Sequence, residues 1–317
     1  MLVYRRLEDV PENFGPCALT IGNFDGVHAG HREIMRQVAR VAVARGLKAS
    51  VMTFHPHPMC VVAPSRAPLV ISTPEQRAAM MHAEGIDQVL ILPFDHAVAL
   101  WSPEYFAREI LSHKLKARVV LVGEDFHFGH KHAGDTEMLA EFGRHFGFDT
   151  ELIDPIMVRG QRVSSSLVRD LVRNGRVSKA ARMLARPFAL EGAVVSGHGV
   201  GAKQTVPTLN LGTTSALLPM NGVYITRTTD LDLPRSFDSI TNVGHRPTFD
   251  GDALTIETFL LSPLTGETPH RIRVDFLRRV RDERKFESPE QLKAQIMRDV
   301  SRAQAFFRRL GKWVRVR

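Results

Sequence analysis

At 317 residues, with 44% apolar and 24% charged residues, the chain is long enough for two globular domains and lacks the composition of a disordered protein. Its net charge of +8 favours anionic partners such as nucleotides, phosphates or nucleic acid. The two cysteines, Cys17 and Cys60, lie far apart in the sequence, which suggests no disulfide framework. No apolar run reaches the roughly 18 residues of a membrane span, and the first residues hold no apolar signal-peptide core. The sequence therefore predicts a cytoplasmic protein with no membrane association.

Residues 18 to 155 alternate short apolar runs with longer amphipathic segments, which is the pattern of a parallel sheet covered by helices. Strands are predicted at Ala18–Ile21, Lys48–Phe54, Gln88–Leu92, Arg118–Val122 and Thr150–Ile153. Helices are predicted at His31–Arg45, Pro74–Ala83, Pro103–His113, Thr136–Phe146, Ser165–Asn174 and Ser178–Leu184. We therefore expect a doubly wound α/β domain over residues 1–185.

After Arg186 and Pro187 the long helices give way to alternating runs that are typical of antiparallel strands. These runs are Phe188–Val195, Gly222–Thr228, Ser239–Val243, Thr255–Leu261 and Arg271–Phe276. A last helix is predicted from Ser288 to Phe307, because a serine followed by a proline is a common helix start. Residues 186–317 are thus expected to form a small antiparallel barrel or sandwich with a C-terminal helix.

A glycine-rich segment with two histidines, I-G-N-F-D-G-V-H-A-G-H, follows the first predicted strand and opens the first helix. Gly22, Gly26 and Gly30 let the backbone approach phosphate oxygens, and a helix N-terminus adds a partial positive charge. His28 and His31 are three residues apart, so both can lie on one side of the turn. There they can donate hydrogen bonds to an α-phosphate whose extra charge exists only in the transition state.

This segment resembles the H-x-G-H motif of the bacterial bifunctional riboflavin kinase/FAD synthetase family, and the resemblance extends over nearly the whole chain. It implies an FMN adenylyltransferase domain at 1–185 and a riboflavin kinase domain at 186–317, with ATP, riboflavin, FMN and FAD as substrates or products and Mg²⁺ as cofactor. In the first domain it implies nucleotide or flavin contacts from Gly22, Asn23, Phe24, Asp25, Gly30, Gly123, Asp125, Phe126, Phe128, Ser164, Ser165 and Ser166.

Three further stretches carry the resemblance: F-H-P-H-P at 54–58, V-G-E-D-F-H-F-G at 122–129 and S-S-S-L-V-R at 164–169. The last implies that Arg169 holds triphosphate oxygens, and a planar guanidinium is suited to a bidentate phosphate contact. A solvated helix position is the alternative for Arg169. Phe126 and Phe128 either stack on the isoalloxazine or belong to the core.

Histidines at 55, 57, 127, 130 and 132 also permit a zinc hypothesis, because imidazole is a common zinc ligand. Their spacing matches no closed zinc site and no cysteine accompanies them, so the flavin-enzyme interpretation is favoured.

The second domain contains V-P-T-L-N at 206–210, which resembles the P-T-A-N motif of riboflavin kinases. The resemblance implies that Thr208 and Asn210 bind Mg²⁺ and ATP phosphates, that Gly199 and Gly201 contact the nucleotide, and that Glu257 takes the proton from the ribityl hydroxyl. Oxygen ligands suit magnesium, and a carboxylate can act as a general base. An outward strand position without a catalytic role is the alternative for Glu257.

Residues 201–210 depart from the family pattern G-R-x-L-G-F-P-T-A-N, since the chain reads G-A-K-Q-T-V-P-T-L-N. This leaves open a monofunctional FMN adenylyltransferase whose barrel only binds flavin. A nucleic-acid-binding protein on an old enzyme scaffold is a weaker alternative, because the basic run near 278–285 lacks interleaved aromatic residues and that at 308–317 holds a single one. An oligomer is compatible with the sequence.

Overall fold

In the computed structural model, which describes residues 1–195, 208–215, 217–248, 251–284 and 286–314, the chain divides between Ser165 and Ser166 into two units. The first unit contains the predicted parallel sheet. Its strands are β1 (Leu2–Tyr4), β2 (Cys17–Ile21), β3 (Lys48–His55), β4 (Gln88–Pro93), β5 (Ala117–Gly123) and β6 (Asp149–Ile153). All neighbouring strands run parallel, in the order β1-β4-β3-β2-β5-β6. The expectation of a doubly wound parallel sheet is therefore confirmed.

Several short elements of the first unit were not predicted, among them the helical segments Met59–Val62 and His96–Ala99. The strand β1 is only three residues long, and β7 (Met157–Val158) pairs with β8 (Gln161–Arg162) in a short hairpin. Such short segments carry too few residues for a periodic pattern to stand out.

The helices of the first unit cover both faces of the sheet, and those that the sequence predicts follow their predicted bounds closely. They are α1 (Ala29–Arg45), α2 (Met59–Val62), α3 (Pro74–Ala83), α4 (His96–Ala99), α5 (Pro103–Tyr105) and α6 (Thr136–Phe146), with 3₁₀ turns at Pro64–Arg66 and His130–His132. The helix predicted at Pro103–His113 is α5 followed directly by a π-helix at Phe106–Lys114. Two hydrophobic clusters lie in this unit and share the sheet strands between them.

The ends of α1 and α3 are set by local capping. The side chain of His28 accepts a hydrogen bond from the His31 backbone N–H at the start of α1, and Gly46 ends that helix with a φ of 63°. Thr73 and Gln76 form a reciprocal capping box around Pro74 at the start of α3. These caps fix where each helix begins relative to the strand before it.

The order of the strands places a crevice beside β2. From β2 the chain runs through β3 and β4 on one side, then returns to β5 on the other side of β2 and continues to β6. In open α/β sheets, ligands bind at such a reversal, outside the carboxyl ends of the strands. Here those ends are Ile21 and Gly123, which directly precede two of the predicted site segments.

The second unit contains a closed six-stranded barrel between helices. Its elements are α7 (Ser165–Arg173), α8 (Val177–Leu184), β9 (Phe188–Val195), β10 (Thr208–Gly212), β11 (Gly222–Asp230), β12 (Ser236–Thr248), β13 (Gly251–Leu260), β14 (Arg271–Arg281) and α9 (Pro289–Val314). The strand order is β10-β13-β12-β11-β14-β9, and each neighbouring pair is antiparallel. Of the two expected architectures, the structure has the barrel.

Side chains alternate along the barrel strands as predicted. Ile272, Val274 and Phe276 are fully buried, whereas the residues between them are partly exposed. β10 was not predicted, because its five residues, T-L-N-L-G, overlap the V-P-T-L-N motif and are too few for a clear alternating pattern. Its Leu209 and Leu211 are buried, so β10 also has one inward and one outward face.

The helices α7 and α8 belong to the second compact unit, although the sequence places them at the end of the first domain. Ser178 Oγ donates a hydrogen bond to the Leu277 carbonyl oxygen at 2.7 Å, and α8 contacts β14 and β9. The apolar face of α8 thus packs on the barrel, which periodicity along one helix cannot reveal. The boundary of the functional domains at residue 185 stays a prediction.

The C-terminal helix α9 is anchored to the barrel by an ion pair with little exposure to solvent. Arg281 Nε lies 2.8 Å from Asp299 Oδ2, and Gln295 Nε2 donates to Asp299 Oδ1 at 2.9 Å. Within the described ranges, α9 and the other helices include none with the length and apolar character of a transmembrane span.

Candidate active sites

The turn after β2 has a strained backbone. Phe24, Gly26 and Val27 have φ values of 47°, 77° and 36°, a region that residues with side chains rarely adopt. Strain of this kind persists only where surrounding contacts impose it, and it is concentrated at functional sites. The strained backbone of this turn therefore agrees with the functional site that the glycine-rich motif predicts.

The carboxylate of Asp25 supplies several of the contacts that impose this strain. It is buried and accepts hydrogen bonds from the backbone N–H of Ile71 at 3.0 and 3.1 Å and of Ser72 at 3.1 Å. Ser72 Oγ in turn accepts from the Gly26 N–H at 2.9 Å, and Ser165 Oγ donates to the Asp25 carbonyl oxygen at 2.9 Å. In this structure the predicted ligand residues Asp25 and Ser165 bind the chain itself.

The two histidines of the motif lie against each other. The rings of His28 and His31 stack with centroids 3.5 Å apart and an interplanar angle of 19°, so the three-residue spacing does bring them to one side of the turn. Because Nδ1 of His28 accepts the His31 backbone N–H at 3.3 Å, the proton of a neutral His28 lies on Nε2. That nitrogen is then a hydrogen-bond donor.

His31 is held in its neutral form. Burial of the ring lowers its pKa well below the usual 6.5, and the neighbouring His28 and the positively charged Arg77 lower that pKa further. The edge of the Phe24 ring meets His31 at a centroid distance of 5.1 Å. A neutral imidazole still carries one N–H, so His31 can donate a hydrogen bond at neutral pH without being charged.

Arg77 of α3 is a buried residue of this site that the sequence did not reveal. Its Nη1 donates to the Asn23 carbonyl oxygen at 2.6 Å, to Thr53 Oγ1 at 3.2 Å and to the Phe54 carbonyl oxygen at 3.3 Å. An arginine on an amphipathic helix usually lies in solvent, so its position gave no signal. A tertiary structure is needed to see that it faces the turn.

The loop after β5 lies at the other side of the crevice. Gly123 ends β5, and the exposed Asp125 pairs with Arg162 of β8 at 2.8 Å. Phe128 is buried in the core, and the partly buried Phe126 stacks on it with centroids 5.7 Å apart. For Phe128 the structure thus favours the core alternative, whereas Phe126 keeps a partly exposed face.

The S-S-S-L-V-R segment occupies the start of α7. Ser164 and Ser165 are partly buried, and Ser166 is exposed. Arg169 is 7% exposed, so it is a buried residue and the solvated alternative is wrong. Its contact with triphosphate stays a prediction.

Two of the histidines that permitted a zinc hypothesis make separate hydrogen bonds within the chain. His57 Nδ1 accepts from the Met59 N–H at 3.2 Å, and His130 Nδ1 lies 3.0 Å from the Ala99 carbonyl oxygen. In the part of the chain that the structure describes, no group of three or more His, Cys, Asp or Glu side chains is arranged to hold a metal ion.

In the second unit, the register of two neighbouring strands brings the predicted kinase residues to one face. Asn210 on β10 pairs directly with Glu257 on β13, and Thr208 is two residues from Asn210 along the strand. Residues opposite each other in a ladder share a face, as do residues two apart. Leu209 and Thr258 between them point inward and are buried, so the three predicted residues lie on the outer face.

Asn242 on β12 is a further residue of this row. It pairs with Glu257 on the side opposite to Asn210, so an amide flanks the carboxylate on each side. The register between β12 and β13 is stabilised inside the barrel, where the hydroxyls of Thr241 and Thr258 lie 3.0 Å apart. Gly199 and Gly201, which the sequence predicts to contact the nucleotide, lie outside the described residues.

Comparison with known proteins assigns both units. Residues 10–167 match the family model for FAD synthetase, and residues 184–307 match the model for riboflavin kinase. The bifunctional riboflavin kinase/FMN adenylyltransferase of Escherichia coli K12 is 33% identical over 92% of this chain and 93% of its own length. That of Pseudomonas fluorescens is 36% identical, over 93% of this chain and 94% of its own length.

The chain belongs to the bifunctional riboflavin kinase/FMN adenylyltransferase family. It carries both domains, and with them the two activities, phosphorylation of riboflavin and adenylylation of FMN. The crystal structure of a macrolide-efflux protein from Streptococcus pneumoniae also matches, with a TM-score of 0.85 and 25% identity over 96% of this chain and 98% of that one.

Gly30 offers a direct test of the histidine arrangement in the adenylyltransferase domain. A Cβ at this position would lie 3.2 Å from Cε1 and 3.3 Å from Nδ1 of His28, so the ring must shift. We expect Gly30→Ala to slow FAD formation from FMN by about tenfold, since small misplacements of a catalytic group are costly. Thermal stability should not fall, because alanine is favoured over glycine in helices by about 1 kcal/mol.

The matched control is Gly311→Ala, a helical glycine of α9 whose added Cβ has no atom within 4 Å. Both variants would be assayed for FAD formation and thermal unfolding. Equal rates for Gly30→Ala and Gly311→Ala would show that the His28 ring position does not matter.

Proposed function

We propose that ATP is the donor in both reactions of this chain, giving FMN from riboflavin and then FAD and pyrophosphate from FMN. The observation that supports the adenylylation step is the pair of stacked imidazoles of His28 and His31 at the carboxyl end of β2. Each can donate a hydrogen bond toward oxygens of the α-phosphate as charge builds up there. Attack at phosphorus with loss of pyrophosphate needs positioning and charge stabilisation more than covalent catalysis.

The remaining predicted residues would position the substrates around these histidines. Gly22, Asn23 and Phe24 lie in the turn, Gly30 lies in the first turn of α1, and together they would let the phosphates approach the backbone. We further propose that the substrates are contacted by Gly123, Asp125, Phe126, Ser164, Ser165 and Ser166, with Arg169 binding triphosphate oxygens as a planar bidentate donor.

For the kinase step, Glu257 is proposed as the general base that takes the proton of the ribityl hydroxyl. Its carboxylate lies in the same outward row as Asn210 and Thr208. The hydroxyl of Thr208 and the amide oxygen of Asn210 are hard donors of the kind that Mg²⁺ accepts, and this ion is usually held by few protein ligands together with phosphates. A bound Mg²⁺ would neutralise phosphate charge during transfer.

Product analysis with riboflavin and FMN supplied separately tests this proposal. With Mg²⁺ and ATP, riboflavin should yield FMN and then FAD, and FMN should yield FAD and pyrophosphate. Chelation with EDTA should stop FMN formation, because the proposed kinase site needs the metal to neutralise phosphate charge. If riboflavin gives no FMN while FMN gives FAD, the barrel is only a flavin-binding module.

The cellular setting is also a proposal. A reducing cytoplasm suits two unpaired cysteines, and small-molecule substrates rather than nucleic acid account for the positive charge. The functional domains are proposed to meet at residue 185, close to the start of the second of the matched regions 10–167 and 184–307.

A further inference from the structure

Arg77 connects the backbone of the turn after β2 to that of the last residues of β3 at the adenylyltransferase site. Its Nη1 donates to the Asn23 carbonyl oxygen in the turn after β2, and both Nη1 and Nη2 donate at 3.3 Å to the Phe54 carbonyl oxygen near the end of β3. The same Nη1 lies 3.2 Å from Thr53 Oγ1, which itself donates to the Asn23 carbonyl oxygen at 3.0 Å. A single side chain thus joins the two segments.

The environment of Arg77 makes these contacts energetically important. The residue is only 5% exposed, and a buried guanidinium is costly unless its donors are satisfied. The contacts go mostly to carbonyl oxygens, which a lysine ammonium cannot bridge in the same planar geometry. The contacts at this position therefore require the planar geometry of an arginine side chain as well as its positive charge.

Three polar atoms in this corner remain unsatisfied. Asn23 Oδ1, His31 Nδ1 and Arg77 Nε are buried and have no hydrogen-bond partner among the described residues. Buried polar groups normally find partners, and exceptions are concentrated where a protein binds or reacts. All three belong to the turn or to the side chain that contacts it.

We propose that Arg77 is a positioning residue for adenylyl transfer, whose guanidinium binds the backbone at Asn23 and Phe54 and so fixes the turn that carries His28 and His31. The positively charged side chain acts on His31 as well, since Arg77 contributes to the low pKa of that histidine. His28 acts on His31 in the same direction, and Asp25 attracts Arg77 in turn. Geometry and charge have separate consequences that two substitutions can distinguish.

Arg77→Met removes both the bridge and the charge. We expect the kcat of FMN adenylylation to fall by about 10²-fold, the effect of displacing catalytic groups by about 1 Å. The acid-side midpoint of the pH profile should move to higher pH, because the pKa of His31 rises once a neighbouring positive charge is lost. Formation of FMN from riboflavin should be unchanged.

Arg77→Lys keeps the charge and loses the bridge. It should restore the pH midpoint but only part of kcat, since a point charge on a flexible stem cannot bind both carbonyl oxygens as a fork does. The matched control is Arg40→Met on α1, an exposed arginine that pairs with Glu33 at 2.8 Å. It should leave kcat, KM and the pH profile as they are.

Thr53→Val provides a second route if Arg77→Met does not fold. It removes the buried hydroxyl that joins Asn23 and Arg77 without a change in shape, so kcat should fall in the same direction but less. The proposal is overturned if folded Arg77→Met adenylylates FMN at the normal rate, if its pH midpoint stays in place, or if Arg77→Lys recovers all of kcat. In the absence of folded Arg77→Met, a normal rate in Thr53→Val overturns it.

Discussion

Replacement of His31 by alanine is expected to lower FAD formation from FMN by about 10²–10³-fold, the usual cost of losing one donor that stabilises transition-state charge. The ring of His31 stacks on His28 at 3.5 Å and is held neutral, so the substitution removes one donor and the support of a second. FMN formation from riboflavin should be unaffected, since the proposed kinase residues are on the barrel. Rates with each substrate, at saturating ATP, measure both effects.

His113→Ala is the control for this substitution. His113 lies in the π-helix, is exposed, and contacts only Glu109 at 3.2 Å among the contacts that the structure describes for its ring. It should keep normal adenylylation. If folded His31→Ala made FAD at the rate of His113→Ala, the histidine pair would have no part in the chemistry.

Substitution of Glu257 by alanine is expected to have the reverse effect. Loss of a general base costs about 10²–10⁴-fold, so FMN formation from riboflavin should nearly stop. FAD formation from supplied FMN should continue. The physical reason is the position of Glu257 in the outward row between Asn210 and Asn242, where its carboxylate can meet a hydroxyl while the amides flank it.

A second outward glutamate of the barrel serves as the control. Glu191 on β9 pairs with Arg273 on β14 and lies 3.6 Å from its Nη1, and it has no proposed role. Glu191→Gln should phosphorylate riboflavin normally. Equal kinase rates in Glu257→Ala and Glu191→Gln would show that Glu257 has no catalytic function.

The parts of this fold that sequence predicts well are those with a strong local signal. β2 and the other central strands of the first sheet are continuous apolar runs, and α3 and α6 have their predicted bounds because proline, threonine and aspartate caps mark their starts. The histidine spacing likewise predicts that His28 and His31 meet, because a helix start fixes the geometry of residues three apart.

The features that sequence could not supply depend on long-range contacts. Arg77 contacts Asn23, which is 54 positions away along the chain, and Phe54, which is 23 positions away. Only the fold brings these residues together, so the sequence pattern around Arg77 on α3 is that of an ordinary surface arginine. Asn242 lies beside Glu257 because of the register between two strands. The packing of α8 on the barrel likewise depends on a tertiary contact. Neither leaves a periodic trace in the sequence.

The most direct test of the two-site account is one set of product measurements on folded His31→Ala and Glu257→Ala, with riboflavin and FMN supplied separately. We expect His31→Ala to accumulate FMN from riboflavin and to make almost no FAD, whereas Glu257→Ala should make FAD from FMN and leave riboflavin unchanged. Loss of both activities in either folded variant would contradict it.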